Sequence, residues 1–332
     1  MPKITIGSKT FLSNVFYAPL AGCSDLPYRQ MAKKYGAGLV FCEMVKMDAL
    51  IRCDKNTYRL LDYTGGMHPM GAQLCGSRLD IAADCAEILE DLGFDLIDLN
   101  CGCPVDKVTK DGSGSGLLKK PQLIGEIISK IVARVSVPVT VKIRAGWDDL
   151  SIVAPLITQI AEEAGASAIF IHGRTRQQAY KGLANRDHIK ESKAVAKNIK
   201  VFGNGDIFCA DDAKHMFEHT GCDGVLVARG TFGQPWIAED IRRMQESLPA
   251  LERDFEFCRK NLLEHYHLTR SYANEKKAIL DMRRVGCWYF KKGEVGRALR
   301  SRISKAKTID DVEHLLESLK NPETFLRQLV IT

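Results

Sequence analysis

Phe94-Asp95-Leu96-Ile97-Asp98-Leu99-Asn100-Cys101-Gly102-Cys103-Pro104 is an apolar run that stops at an asparagine, two thiols and a proline. A short apolar run of this kind reads as a buried strand, and Gly102 and Pro104 open a long loop behind it. An amide and a thiol therefore stand at the carboxyl end of a strand, where α/β enzymes keep their chemistry. The pattern recurs downstream: Lys142, His172, Gly203-Asn204-Gly205-Asp206 and Ala228-Arg229-Gly230 each end another β-branched run.

Working outward, residues 1–244 alternate strand and helix signals. Strands are expected at Val15–Pro19, Leu39–Glu43, Met70–Leu74, Asp95–Asn100, Pro138–Ile143, Ala168–His172, Lys200–Gly203 and Gly224–Ala228. Between them, segments such as Asp80–Leu92, Pro121–Val135, Ser151–Ala164 and Ala210–His219 carry apolar residues at helical spacing. Gly93, Gly165 and Gly221 stand where a helix would be capped before the next strand. Eight such units predict a (β/α)8 barrel. No Gly-x-Gly-x-x-Gly opens a helix after the first strand, so a dinucleotide-binding doubly wound sheet lacks its fingerprint. From about residue 245 strand signals cease, and Phe255–Tyr272, Lys276–Lys292, Val295–Ala306, Ile309–Leu319 and Glu323–Val330 read as helices. This predicts a second, all-α domain over residues 245–332, joined at Leu248-Pro249.

The chain has 332 residues, enough for a large core and two structural units. Its start, Met1-Pro2-Lys3-Ile4, lacks a long apolar leader and no run reaches membrane-spanning length, which together predict a cytoplasmic protein. The 11 cysteines are scattered, odd in number and without a Cys-x-x-Cys pair, as expected of reduced thiols. Cys101 and Cys103 alone do not complete a tetrahedral metal site, and no metal is expected. The net charge of +6 is uneven: Lys276 to Lys307 holds eleven Lys/Arg against Asp281 and Glu294. Such a block points to a polyanionic partner, against the plainer reading of a solvated helical face.

Three sets of residues carry the chemistry. Gly203-Asn204-Gly205-Asp206 and Ala228-Arg229-Gly230 occupy the loops after strands seven and eight, where barrels hold phosphate on backbone amides; glycine permits close approach and Arg229 adds a charged fork. Lys142, Gln73 and His172 bring polar groups to neighbouring strand ends. Lys142 needs an electron-rich partner, such as the N1/C2=O edge of a flavin, and Gln73 can both donate to and accept from its pyrimidine ring. Cys103, in a Gly/Pro-punctuated loop backed by Val105–Gly116, is a candidate nucleophile, ligand or proton donor. Cys101 competes with it, and spacing alone does not choose between them.

Ala18-Pro19-Leu20-Ala21-Gly22, Asn100-Cys101-Gly102-Cys103-Pro104, Lys142 with Arg144, His172-Gly173-Arg174-Thr175 and Gly203-Asn204-Gly205-Asp206-Ile207 occur in the order seen in tRNA-dihydrouridine synthases, which the chain resembles over nearly its whole length. Its tail, from Met282-Arg283-Arg284 through Trp288-Tyr289 to Lys292-Gly293, is most similar to the bacterial B-type branch. The resemblance implies an FMN oxidoreductase, re-reduced by NADPH (NADH being possible), that passes hydride from flavin N5 to C6 of a uridine in the tRNA D-loop. It implies that Cys103, the cysteine before the proline, protonates C5. It places Pro19, Gln73, Lys142, His172, Asn204, Gly205, Arg229 and Gly230 against FMN, with Asp206 in the same loop, and Asn100 and Arg174 on the uracil side. Arg186 stands where the family usually has tryptophan. Arg284, Trp288 and Lys291 fall on one helical face and are expected to meet tRNA, bundle packing being the alternative for Trp288. No obligatory protein partner is expected, and a monomer is. An FMN barrel for free pyrimidines would share the flavin contacts but leave the basic tail unexplained. A non-enzymatic RNA-binding protein would have no need of Cys103, Lys142 and both phosphate loops.

Overall fold

The computed structural model describes residues 2–290 and 293–319. The strands are β1 (Ile4–Ile6), β2 (Lys9–Phe11), β3 (Val15–Tyr17), β4 (Leu39–Lys46), β5 (Met70–Cys75), β6 (Leu96–Cys101), β7 (Val139–Arg144), β8 (Ala168–His172), β9 (Lys200–Asn204) and β10 (Gly224–Val227). β3 to β10 close into a barrel in chain order, with β10 bonded back to β3, and each adjacent pair is parallel. Parallel neighbours need a crossover, and helices such as Ala82–Asp91, Pro121–Val132, Ala154–Glu163 and Ala210–Thr220 supply it. The predicted (β/α)8 barrel is therefore the observed one, with strand ends displaced by a few residues.

Closure gives every strand one face toward the axis, and with a period of two the inward residues form layers. The lowest is apolar: Phe16, Leu39, Phe41, Leu96, Phe170, Phe202 and Leu226 form one cluster. Phe16 and Phe202 stack at 4.7 Å, and Phe170 tilts against Phe202 at 5.0 Å. Beneath it lies a feature the sequence reading missed, the antiparallel hairpin of β1 and β2. Ile4, Ile6 and Phe11 join the same cluster, and Phe11 meets Phe16 edge-on at 5.1 Å. Three-residue strands are too short to show periodicity, so only the packing reveals this plug.

The chain divides into two compact units. The first runs to Gly230 and takes up Trp236–Pro249 again; the second comprises Thr231–Pro235 and the chain from Ala250 onward. The division falls after Pro249, five residues beyond the expected 244, because the helix Ile237–Gln245 belongs to the barrel. Ala238 N–H donates to the Tyr17 hydroxyl at 2.9 Å, and Gln245 Nε2 to Asn14 Oδ1 at 3.1 Å.

The second unit contains the helices Phe255–Tyr272, Glu275–Tyr289, Gly293–Ile303 and Ile309–Ser318. Asp254, Asn274 and Thr308 cap three of them through side-chain oxygens. Leu262, Tyr266, Met282, Val285, Leu299, Ile303, Val312 and Leu316 are buried. Gly286 sets the helix spacing, since a Cβ there would stand 2.3 Å from the Tyr266 hydroxyl and 2.7 Å from Ile303. The helix expected at Glu323–Val330 lies outside the described residues. No helix among the described residues is long and apolar enough to cross a membrane.

Phe170 is fully buried and touches three other rings of the bottom layer. Phe170→Ala should cost about 3–5 kcal/mol of barrel stability, read as a lower urea midpoint at unchanged slope.

Candidate active site

Above the phenylalanine layer the barrel axis turns polar. Asp98, two residues beyond Leu96 on the same face of β6, is buried; Thr140 Oγ1 donates to its Oδ1 at 2.7 Å and Gln73 Nε2 to its Oδ2 at 2.6 Å. Burial pushes the Asp98 carboxyl up to about 7, against these hydrogen bonds and the Lys142 charge, which pull it down.

The next inward residue, Asn100, controls the cysteine loop. Its Nδ2 donates to Gln73 Oε1 at 2.7 Å, and its Oδ1 accepts the N–H groups of Gly102 (3.1 Å) and Cys103 (2.9 Å). Cys103 C=O accepts from Ser115 N (3.0 Å) and Ser115 Oγ (2.9 Å). Arg144 Nε donates to Gly102 C=O at 2.9 Å. The backbone of Cys103 is thus clamped on both sides, while its side chain is partly exposed. Cys101 points the other way along β6, is fully buried, and has its thiol pushed well up by burial. The structure separates two thiols that spacing alone left open.

Cations gather beside this loop. Lys142 Nζ bonds Asn204 Oδ1 at 3.3 Å, and burial, then Arg144, bring its ammonium down to about 8. Arg144 is lowered to about 10, mainly by burial, and its Nη1 donates to the carbonyls of Thr175 and Ala179, both at 2.8 Å. His172 is held well below its ordinary value, by burial first and then by Lys142, Arg144, Arg174 and Arg229, so the ring is neutral. Arg174 Nη1 lies 3.4 Å from His172 Nε2; a guanidinium only donates, so Nε2 accepts and the proton sits on Nδ1.

At the ends of β9 and β10 the two glycine loops face each other. Asn204 Nδ2 donates to Leu226 C=O at 2.6 Å. Asp206, at a positive φ of 49°, accepts from Arg174 (2.7 Å), Arg229 (3.4 Å) and Ala184 N (2.8 Å). Gly230 is required where it stands: a Cβ would lie 1.9 Å from Ile207 C=O. Arg229 is half-buried and also lies 4.6 Å from the centre of the exposed Tyr180 ring.

Gln73, Asn100, Cys103, Lys142, His172, Asn204, Gly205, Asp206, Arg229 and Gly230 are thereby brought to the carboxyl end of one barrel, with Pro19 just past the end of β3. Two of the expected ligand contacts, Asp206 and Arg174, make internal bonds. Asp206 spends its carboxylate on two arginines. Arg174, 2% exposed, is bonded to Asp206 and to the carbonyls of Lys181 and Gly182. Arg186, in place of the usual tryptophan, directs Nη2 to Asp212 C=O at 3.5 Å. In the second unit, Trp288 is half-buried and stacks on Phe232 at 4.2 Å, with Arg284 5.2 Å from its ring centre. Arg284 also pairs with Asp281 at 3.2 Å. Lys291 lies outside the described residues. Sequence reasoning missed Asp98, Ser115 and Tyr180; for Asp98 the signal was present, since it precedes Asn100 by one pleat.

The site is thus a (β/α)8 barrel mouth in which a cysteine loop stands beside several cationic side chains. The chain belongs to the dihydrouridine synthase family, whose profile matches residues 16–328. It is 35% identical to tRNA-dihydrouridine synthase B of Pseudomonas syringae pv. tomato over 316 residues, 94% of this chain and 92% of that one. With tRNA-dihydrouridine synthase B of Vibrio cholerae it shares 34% identity, covering 94% and 97%. With a probable tRNA-dihydrouridine synthase of Rickettsia bellii it shares 36%, covering 86% and 88%. Among solved structures, histamine dehydrogenase from Rhizobium sp. 4-9 superposes with a TM-score of 0.54 at 13% identity, over 80% of this chain and 50% of that one. That likeness is one of fold.

Asp98 binds a proton in the folded protein that it releases on unfolding between its ordinary value and about 7. Its contribution to stability therefore falls as pH rises from about 4 to about 7 and is level above that. Urea unfolding of wild type and Asp98→Asn across that range should show the variant gaining on wild type as pH rises, with no further change above about pH 7.

Proposed function

We propose that this barrel reduces the C5–C6 double bond of a uridine in tRNA, using FMN with NADPH or NADH as reductant, and that Cys103 gives the proton to C5. The observation that carries this reading is the double clamp on Cys103, which fixes a partly exposed thiol beside Lys142 at the barrel mouth.

The donor set suits FMN. Lys142, Arg144 and Arg229 face the mouth, Arg174 lies behind it, and the carboxylates beside them are Asp206 and the partly protonated Asp98. The surplus positive charge, with glycine backbone at Gly205 and Gly230, fits a phosphate ester. Arg229 and the two glycines would hold the phosphate, with Asp206 keeping Arg229 in place. Lys142 would meet the electron-rich edge of the ring, and its depressed value returns upward when it gains a negative partner. Gln73 has one amide hydrogen and one lone pair left over from its bonds to Asp98 and Asn100, which it can turn to the ring pyrimidine. Pro19, His172 and Asn204 complete the wall.

FMN, when bound, supplies the hydride for C6. Cys103 adds the proton at C5, and the thiolate it leaves recovers a proton from water, so hydride and proton together saturate the double bond. Asn100 uses both donors and its acceptor internally (the second donor on Met44 Sδ at 3.6 Å). Its part is to hold the thiol rather than to grip the base. In the second unit, Lys277 and Arg284 pair with Asp281, while Arg283 and Arg300 donate to the carbonyls of Ala306 and Phe290. Among the described residues of the block, exposed Lys276, Lys305 and Lys307 would meet tRNA phosphates. The protein acts in the cytoplasm as a monomer.

Incubating the protein with FMN, NADPH and an unmodified tRNA transcript should add two hydrogens to a uridine, seen by mass spectrometry of nuclease fragments. Cys103→Ala should bind FMN normally and lose about 100-fold or more in uridine reduction, as expected on losing a general acid. Cys101→Ala should stay within a few-fold of wild type, and the reverse pattern would overturn the assignment. Affinity for tRNA should fall about 10- to 100-fold between 50 and 200 mM salt if a few lysines neutralise phosphates. A flat response would remove the second unit from binding.

A further inference from the structure

We infer that Asp98 is a positioning residue for the cysteine loop: it sets the direction of a hydrogen-bond chain running from the barrel axis through Gln73 and Asn100 to the backbone of Cys103. The inference rests on the proposed role of Cys103, but the chain of contacts stands without it.

The argument is one of donors and acceptors. A carboxamide has one end that donates and one that accepts, and its two orientations have nearly the same shape. Gln73 and Asn100 could each be flipped without a steric penalty, and only their partners choose. Asp98 Oδ2 offers an acceptor, so Gln73 must present Nε2 to it at 2.6 Å, which aims Gln73 Oε1 at Asn100. Asn100 must then present Nδ2 at 2.7 Å, which aims its Oδ1 at the loop. There it receives Gly102 N–H and Cys103 N–H. Were Gln73 reversed, Asn100 would turn Nδ2 toward two N–H groups, and both donors would lose their partner, each at a cost of about 1–3 kcal/mol if buried.

The cross-strand register makes the chain possible. Gln73 is the Cα partner of Asp98 between β5 and β6, and Thr140 is its partner on β7. Thr140 has a rotatable hydroxyl, so it fills the other carboxyl oxygen in either protonation state. A proton on Oδ1 leaves Oδ2 accepting from Gln73, and the direction of the chain survives. Lys142 is the charged group on β7 that acts on Asp98; Asp98 in turn helps keep Lys142 charged. That second role, a counter-charge, is the alternative to be excluded.

Asp98→Asn and Asp98→Leu separate the two. Asparagine can turn its oxygen to Gln73 and its amide to the Thr140 hydroxyl, keeping direction without charge. Leucine has the same branching and keeps neither. Each variant is loaded with FMN, reduced with dithionite and mixed with tRNA transcript, and the rate of flavin reoxidation is followed. In parallel, alkylation of Cys103 by iodoacetamide is timed by peptide mass spectrometry. Asp98→Leu should slow reoxidation about 10- to 100-fold, as expected for a misplaced reacting group, with the half-saturating tRNA concentration within about two-fold. Its Cys103 should alkylate several-fold faster as the loop opens. Asp98→Asn should stay within about three-fold of wild type on both readouts. Wild-type behaviour of Asp98→Leu overturns the inference. So does an Asp98→Asn as impaired as Asp98→Leu at equal melting temperature, which would assign the effect to charge. If Asp98→Leu does not fold, Gln73→Leu cuts the chain one link higher and should give the same faster alkylation; an unchanged rate overturns the inference. If wild type does not react with tRNA at all, the proposed function fails while the alkylation rates still decide the positioning role.

Discussion

Closure of eight parallel strands into one barrel is the constraint on which everything else here depends. Once β10 bonds back to β3, each strand has an inside and an outside, and the period of two assigns every residue to one or the other. On β6 the inward residues are Leu96, Asp98 and Asn100, which fall in an apolar floor, a polar middle and the mouth. The phenylalanine floor with its hairpin plug keeps water from the lower axis. Asp98 therefore titrates near 7, while Asp206 at the rim, bonded to two arginines, is held below the ordinary carboxylate range.

The mouth is electrostatically unfinished. Lys142 is lowered chiefly by burial and then by Arg144, Arg144 chiefly by burial and then by Arg174 and Arg229, and His172 is kept neutral by burial first and then by these cations. Such crowding of like charge is costly in the free protein and is relieved by an anion. In the proposed reading, the glycine loops and the arginine held by Asp206 would take the phosphate. The Cys103 clamp has a different character: the Asn100 amide, Ser115 and the Arg144 guanidinium all hold loop backbone, at Gly102 and Cys103.

The second unit shows why a count of lysines and arginines overstates a binding surface. Part of the basic block is structural: Arg283 and Arg300 satisfy backbone carbonyls, and Asp281 draws in Lys277 and Arg284. Trp288 belongs to this internal economy too, with a face on Phe232. Among the described residues of the block, Lys276, Lys305 and Lys307 are exposed.

Much of this was legible in the chain itself. Eight apolar runs separated by helical periodicity dictate a parallel barrel, because short β-branched runs and amphipathic helices in strict alternation close in few ways. Residues standing at the ends of those runs had to meet at the mouth, since chain direction is the same for every strand. The sequence thus determined the fold, the family and the gathering of Gln73, Asn100, Lys142, His172, Asn204 and Arg229 at the carboxyl end of the barrel. Spacing alone left Cys101 and Cys103 open; the structure seals Cys101 at the end of β6 and leaves Cys103 partly exposed in the loop beyond it. It alone showed that Asp206 and Arg174 are bonded to each other, and that Asp98 is bonded to Gln73. These are questions of which donor meets which acceptor, and such partners come from strands far apart in the sequence, joined only when the barrel closes.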